Sequence, residues 1–432
     1  EEYIEINNFY TATVYEKGAE VIGMLRTLVG AETYAKALDL YFERHDGEAC
    51  TIEDWLKVFE DASGQDLSQF KLWYSQAGTP KLTVRQRWED GDFVLSFAQE
   101  TPPTPGQPDK APMVLPVAFG LIGADGSDLV GTQVLTLTQE VTEHRIPGLT
   151  PQAITPSVLR GFSAPVILDH GLSAEGLAHL LAHDTDPFNR WEAAQRLMLN
   201  RACGLVFGAS EQDLGLTEGL VILAGDTTID PATRALLLAL PSEDAIASEV
   251  HGLGHKVDPT QIHEVRAQME QEIAQALGDL ALALYDGHAV EGPYTPDAQA
   301  AGNRALRLRM LGYLSALEEG RDTARVLFDA ADNMTEQMAA LSHLANTPKG
   351  ADKVQAFYDQ WQNDRLVIDK WFAVQTTRAA AATAVEAVSA LAEHPDFDWK
   401  NPNRFRSLVG AFASGNPAGF HRADGAGYAW LA

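Results

Sequence analysis

The spacing of apolar residues along this chain changes twice, and that change dictates how the backbone can be organised. Residues 1–81 follow the helical interval: an apolar-periodic stretch from Val21 to Val29 stops at Gly30, and Tyr34, Leu38, Tyr41 and Phe42 recur at helical spacing. Thr51 ahead of Ile52-Glu53-Asp54 reads as an N-cap for a helix carrying Trp55, Val58 and Phe59, and Ala77-Gly78-Thr79-Pro80 breaks the region. From residue 82 the interval falls to two. Leu82, Val84 and Trp88 alternate with polar residues up to Glu89-Asp90-Gly91-Asp92, a hairpin signal, and Phe93, Leu95 and Phe97 resume the alternation. A second pair, Met113 to Ile122 and Leu129 to Leu137, meets at Ala124-Asp125-Gly126-Ser127, and Pro102 to Pro112 forms a proline-rich loop. From about residue 166 the helical interval returns without a strict repeat, in Ile262 to Tyr285, Ala298 to Leu317, Thr335 to Ala345 and Arg378 to Ala392. The expectation is a multidomain α+β chain: helices over 1–81, a small antiparallel β-sandwich over 82–165, and a large all-α helical array over 166–432.

Charge narrows the partners. Asp and Glu number 60 against 32 Lys and Arg, a formal net charge of −28, which argues against nucleic acid because phosphate binding needs clustered cations. Two cysteines, Cys50 and Cys203, fit a reducing compartment and exclude a disulfide scaffold, so a cytoplasmic location is expected. No run of about 18 apolar residues occurs, so no membrane span is expected. The chain opens on Glu1-Glu2-Tyr3 without Met or a visible signal peptide and stops at Trp430-Leu431-Ala432 inside an apolar pattern. Both ends read as cut.

The residues alone offer little catalytic chemistry. A zinc hydrolase commonly places two His on one helical turn with a Glu beside the first, as in HExxH. His263-Glu264-Val265-Arg266-Ala267 begins that way but puts Ala where the second His must stand. His179 and His183 have the spacing, yet Leu180 occupies the position of the Glu; His251 and His255 have it too, but Gly252 and Gly254 oppose a helix there. None reads as a catalytic metal site, and a cluster of His251, His255 and His263 stays open as a rival. There is no Gly-x-Ser-x-Gly elbow and no glycine loop for phosphate, since Gly425-Ala426-Gly427 lacks the third glycine.

A set of longer stretches decides the reading. Asn7-Asn8-Phe9-Tyr10-Thr11-Ala12-Thr13-Val14-Tyr15-Glu16-Lys17-Gly18-Ala19-Glu20-Val21, Leu40 to Gly47, Phe59 to Ser63 and Trp73 to Pro80 resemble the bacterial aminopeptidase N family. So do Asp186-Pro187-Phe188-Asn189-Arg190-Trp191-Glu192, Asp332 to Thr335, Asp369-Lys370-Trp371-Phe372 and Asn401-Pro402-Asn403-Arg404-Phe405-Arg406-Ser407-Leu408, in the same order along nearly the whole chain. The resemblance implies a zinc exopeptidase built from a β-rich domain, a thermolysin-like catalytic domain, a small sandwich and a helical domain that closes over the active site. On that reading residues 1–81 are the helical end of the catalytic domain and 166–432 a truncated helical cap. The family's HExxH, its downstream Glu ligand and its Gly-x-Met-Glu-Asn segment would precede Glu1. The chain is therefore expected to be a fragment that binds no metal and is inactive alone, Zn2+ belonging to the intact parent.

The same resemblance assigns roles. Tyr15 matches the tyrosine that donates a hydrogen bond to the oxyanion of the tetrahedral intermediate. Asn7 and Tyr10 match positions lining the pocket for the substrate's first side chain, and Arg406 an arginine presented toward the substrate channel. Arg404, two residues earlier, should face another side of its helix. Glu16 and Lys17 receive no role. The implied partners are peptide substrates of broad side-chain range, with no nucleic acid and no membrane, on a monomeric protein. Against this stand a noncatalytic helical scaffold that binds proteins, and a self-contained metalloenzyme using the three histidines.

Overall fold

The structure is a computed structural model that describes residues 9–209, 215–317 and 320–432. These residues divide into two compact units, Glu1–Ala193 and Ala194–Ala432.

In the first unit, a π-helical turn, Thr13–Lys17, runs directly into helix α1, Gly18–Val29. α1 stops because Gly30 takes φ of 83°, open to glycine and poor for other residues. Helices α2, Ala31–His45, and α3, Ile52–Ser63, follow. The Thr51 cap is a full capping box: its hydroxyl accepts from the Asp54 N–H at 3.2 Å, and the Asp54 carboxylate accepts from the Thr51 N–H at 2.9 Å. α4, Leu72–Ser75, ends the helical part.

Seven strands follow: β1 Lys81–Glu89, β2 Asp92–Glu100, β3 Leu115–Gly123, β4 Asp128–Leu137, β5 Val141–Ile146, β6 Ile154–Val158 and β7 Ile167–Asp169. They make a four-stranded sheet, β5-β2-β1-β7, and a three-stranded sheet, β4-β3-β6. The β1–β2 turn has Asp90 at φ 53° and Gly91 at φ 87°, the left-handed pair that lets a two-residue loop follow the strand twist. β7 pairs with β1 in parallel, a direction that alternation alone does not specify. All nine residues of β3 are buried, and one continuous core joins α1 and α3 to the sandwich through Met24, Phe59, Phe70, Leu95 and Phe119. Burying these apolar surfaces together is the dominant stabilising contribution.

Helix α5, Ala174–His183, starts on a Ser173 cap, and α6, Pro187–Val206, carries the boundary between the units. The Asp186-to-Asn189 motif closes a buried polar joint at this end of the sandwich. Asn189 Nδ2 donates to Ser157 Oγ at 2.7 Å and to the Val158 carbonyl at 3.1 Å, while Asp186 accepts from the Gly161 N–H at 3.0 Å. Buried Arg160 donates to Asp128 at 3.1 Å and lies 3.2 Å from Asp184.

The second unit is helical: α7 Leu216–Gly225, α8 Pro231–Leu237, α9 Glu243–Gly252, α10 Pro259–Leu277, α11 Asp279–Gly287, α12 Ala298–Ala316, α13 Arg321–Ala330, α14 Met334–Leu344, α15 Ala351–Trp361 and α16 Arg365–Thr377. α17 Ala384–Ala392, α18 Pro402–Phe405, a second π-helical turn Arg406–Gly410, α19 Ala411–Gly415, α20 Pro417–Phe420 and α21 Ala426–Leu431 complete it. α12 is the hub, packed against α8, α10, α11, α13 and α14, and it buries Leu306, Met310, Leu311 and Tyr313. Two stretches expected to be single helices are not. Ile262 to Tyr285 breaks at Gly278, whose φ of 48° and ψ of −130° no helix admits. Arg378 to Ala392 begins outside a helix: α16 ends at Thr377, and a short 3-10 turn, Ala381–Thr383, precedes α17.

Candidate active site

Tyr15 sits in the middle of the first π-helical turn, where the Gly18 N–H reaches back five residues to the Thr13 carbonyl. A π turn inserts an extra residue into the helical register and commonly marks a functional position, because it displaces one side chain from its packed track. The turn buries no residue, and Tyr15 is 60% exposed. Tyr10 is 56% exposed and stacks on it, ring centroids 6.2 Å apart and planes inclined by 28°, with Phe9 edge-on to Tyr10 at 5.7 Å. Tyr10 and Tyr15 thus share one open aromatic surface, and the Tyr15 hydroxyl forms no hydrogen bond with another described residue. Asn7 lies outside the described residues.

Arg406 opens the second π-helical turn, in the other unit, where the Ala411 N–H reaches the Arg406 carbonyl. Its guanidinium is exposed, with one long contact of 3.4 Å to Asn403. Arg404 is the contrast. It is 6% exposed, donates through Nε to Asp369 at 2.5 Å, to the Arg365 carbonyl at 3.2 Å and to the Asp396 carbonyl, and lies over the Phe372 ring at 5.0 Å. Two arginines two residues apart therefore have different duties: one is bound into the helical unit and the other faces outward.

The histidines find other work. His263 pairs with Glu243 at 2.7 Å, a hydrogen bond that raises its pKa. His255 stacks on Phe207 at 4.2 Å, and His251 lies on the last turn of α9, which ends at Gly252 as its glycines predict. His179 contacts the Gly123 carbonyl at 2.9 Å, and its ring lies 4.7 Å from that of His183. Among the described residues no three His, Cys, Asp or Glu side chains converge so as to hold one metal ion. The sequence has no His-Glu-x-x-His either. The described residues do not fit the zinc that the resemblance implies.

Sequence reasoning passed over Lys17. Its ammonium, half-buried at the end of the Tyr15 turn, donates to the Gly78 carbonyl at 2.9 Å and lies 5.7 Å from the centre of the Trp73 ring. No local signal marks this, because both partners are remote in sequence.

Three family descriptions match in succession: the Peptidase family M1 domain over residues 1–74, a domain of unknown function (DUF3458) with an Ig-like fold over 78–171, and a domain of unknown function (DUF3458_C) of ARM repeats over 174–432. Aminopeptidase N of Caulobacter vibrioides is 44% identical over 441 residues, covering 100% of this chain and 50% of that protein. Aminopeptidase N of Escherichia coli is 39% identical, covering 99% of this chain and 50% of that protein. The crystal structure of Legionella pneumophila aminopeptidase A in complex with aspartic acid superposes with a TM-score of 0.87 at 28% identity, over 99% of this chain and 50% of that one. The chain spans about half the length of the curated relatives it matches. The description that covers more than half of the chain shows its family: it belongs to the family of the DUF3458_C ARM-repeat domain, with an M1 peptidase match over its first 74 residues and similarity to the bacterial aminopeptidases N along its whole length.

Proposed function

We propose that this chain is the Tyr15-bearing part of an aminopeptidase that removes N-terminal residues from peptides of broad side-chain range. The carrying observation is Tyr15 itself, exposed on a π turn with its hydroxyl unbonded among the described residues, inside the stretch that the M1 domain matches. Attack of water on a scissile amide carbonyl gathers negative charge on the carbonyl oxygen. A phenol O–H aimed at that oxygen donates a hydrogen bond that strengthens as the charge develops, and loss of such a donor costs ~3–4 kcal/mol. Zinc supplies Lewis-acid chemistry in this family, and it would be held by residues other than these. Tyr10 forms an apolar wall for the first side chain, Asn7 contributes an amide to the same pocket, and Arg406 binds the peptide beyond the cleaved bond.

The division at 81/82 and 165/166 follows the two changes of period, and the family descriptions change near the same places. A reducing, cytoplasmic compartment is favoured by Cys50 and Cys203, both free thiols, and the protein is proposed to act as a monomer. No described helix is long and apolar enough to cross a membrane.

Replacing Tyr15 by Phe in the intact enzyme should lower kcat by ~10²–10³ and leave KM within a few-fold. Activity within threefold of the parent would remove Tyr15 from this role. The chain alone should hold no stoichiometric zinc and hydrolyse no aminoacyl reporter; one tightly bound zinc per chain, with chelator-sensitive activity, would sink that part of the proposal.

A further inference from the structure

We propose that Lys17 is the positioning residue of Tyr15, and that the proline-rich loop of the sandwich is the anchor it pulls against. This rests on the reading of Tyr15 given above. A π turn is less stable than the α-helical register beside it, so something must hold the extra residue in place. Among the described residues none of the turn's side chains is fully buried, so packing from them leaves the restraint to other contacts. What does reach it is Lys17, two residues from Tyr15 on the same turn, bound at 2.9 Å to the Gly78 carbonyl across 61 residues of sequence.

That carbonyl is itself fixed. Gly78 has φ of 100°, and a Cβ there would stand 3.0 Å from Thr101 Cγ2, so the position needs glycine. On one side the Ala77 N–H donates to Gln107 Oε1 at 2.8 Å, and the Ala77 carbonyl accepts from Lys110 Nζ at 2.9 Å. Lys110 also donates to Thr104 Oγ1 at 2.7 Å and Gln107 Oε1 at 3.1 Å, and Thr104 and Gln107 form a small antiparallel bridge. Loop 102–112 is thus a knot of hydrogen bonds closed over the Ala77-Gly78 breaker. The Trp73 ring beside the Lys17 ammonium is pinned as well, its indole N–H donating to the Val114 carbonyl at 2.9 Å in the core. A cation over a ring face and a charge-assisted bond to a carbonyl are both stronger out of bulk water. Burial lowers the Lys17 pKa, in keeping with its partial removal from solvent.

The test is a cycle in the intact enzyme with the variants Lys17→Met, Lys17→Arg, Lys110→Met and Tyr15→Phe, read against small reporter and peptide substrates. Lys17→Met should lower kcat ~30-fold with KM within threefold, since the donor is misplaced only where the oxyanion forms. Lys17→Arg, which keeps a cationic donor, should recover most of that loss, and Lys110→Met should cost about threefold through the anchor. In the Tyr15→Phe background, Lys17→Met should cost less than twofold more, because its effect passes through the phenol. Amide hydrogen exchange over residues 13–17 should speed up in Lys17→Met while that of α1 beyond Val21 stays unchanged. A full 30-fold loss in the Tyr15→Phe background, or a rise in KM with kcat unchanged, would overturn the positioning role. So would a Lys17→Met enzyme of parental activity beside an impaired Tyr15→Phe enzyme. If Tyr15→Phe itself keeps parental activity, the reading of Tyr15 fails first and takes this inference with it.

Discussion

The turn that carries Tyr15 and the turn that carries Arg406 close the same five-residue ring, Gly18 N–H to the Thr13 carbonyl and Ala411 N–H to the Arg406 carbonyl. Each presents an exposed polar side chain, and their supports differ. The Arg406 turn buries its own Leu408 and follows directly on α18, whose Arg404 is bonded to Asp369, Arg365 and Asp396. Among the described residues the Tyr15 turn has no fully buried side chain, and it is held from its end by Lys17 on a remote carbonyl. One turn is fixed by the packing beneath it and the other by a tether. A packed turn fails by unfolding, whereas a tethered one fails by losing aim while the protein stays folded.

The largest expected effect tests the packed turn. Arg404→Ala leaves Asp369 and two backbone carbonyls without their partner in a mostly buried place, and should cost ~3–5 kcal/mol of stability. Urea unfolding checks this; a loss below ~1 kcal/mol would mean that Arg404 does not hold the turn.

Acid strains the same unit. His343, partly covered on α14, has its pKa lowered to about 4 by desolvation and by the nearby charges of Arg378 and Arg309. The unfolded chain takes that proton near the ordinary value of ~6.5, so this contribution to stability is intact above about pH 6.5. It declines as pH falls toward 4. Part of the ring still meets solvent, so the loss should be ~1–3 kcal/mol rather than the larger figure of a sealed site. His343→Gln should flatten the fall between pH 7 and pH 4.5 in urea midpoints. An unchanged slope would remove His343 as its source.

Arg406→Ala separates support from presentation. A charge-assisted bond to a peptide carbonyl beyond the cleaved bond would contribute ~1.5–3 kcal/mol. Tri- and tetrapeptides should therefore lose ~10–100-fold in kcat/KM, while single-residue reporter amides barely change. Equal losses on both, with a lowered unfolding midpoint, would make Arg406 a supporting residue like Arg404. The smallest effect belongs to Tyr10, whose stacking on Tyr15 should contribute about 0.5–1.5 kcal/mol. Tyr10→Ala should shift the preference among N-terminal side chains by a few-fold to tenfold without an effect on folding; an unchanged profile would take Tyr10 out of the pocket.

What the sequence by itself determined is what short-range physics encodes. The change of apolar interval separates helices from strands, Thr51 and Asp54 cap a helix through bonds three residues apart, and Asp90-Gly91 makes a turn because its residues tolerate positive φ. Tyr15, Tyr10 and Arg406 became candidates only through a resemblance spread over many stretches, since nothing local to a tyrosine or an arginine announces a site. The tertiary structure alone decided the rest. Apolar spacing ran straight through Gly278, because periodicity sees side chains and not the backbone angles that end α10. α12 carries buried residues around much of its circumference, so its sequence gives only a weak stripe. The π register at Tyr15 and at Arg406 has no sequence period of its own. Nor has the bond from Lys17 to Gly78, which joins positions 61 residues apart because the fold brings two surfaces together, a long-range event that no local preference records.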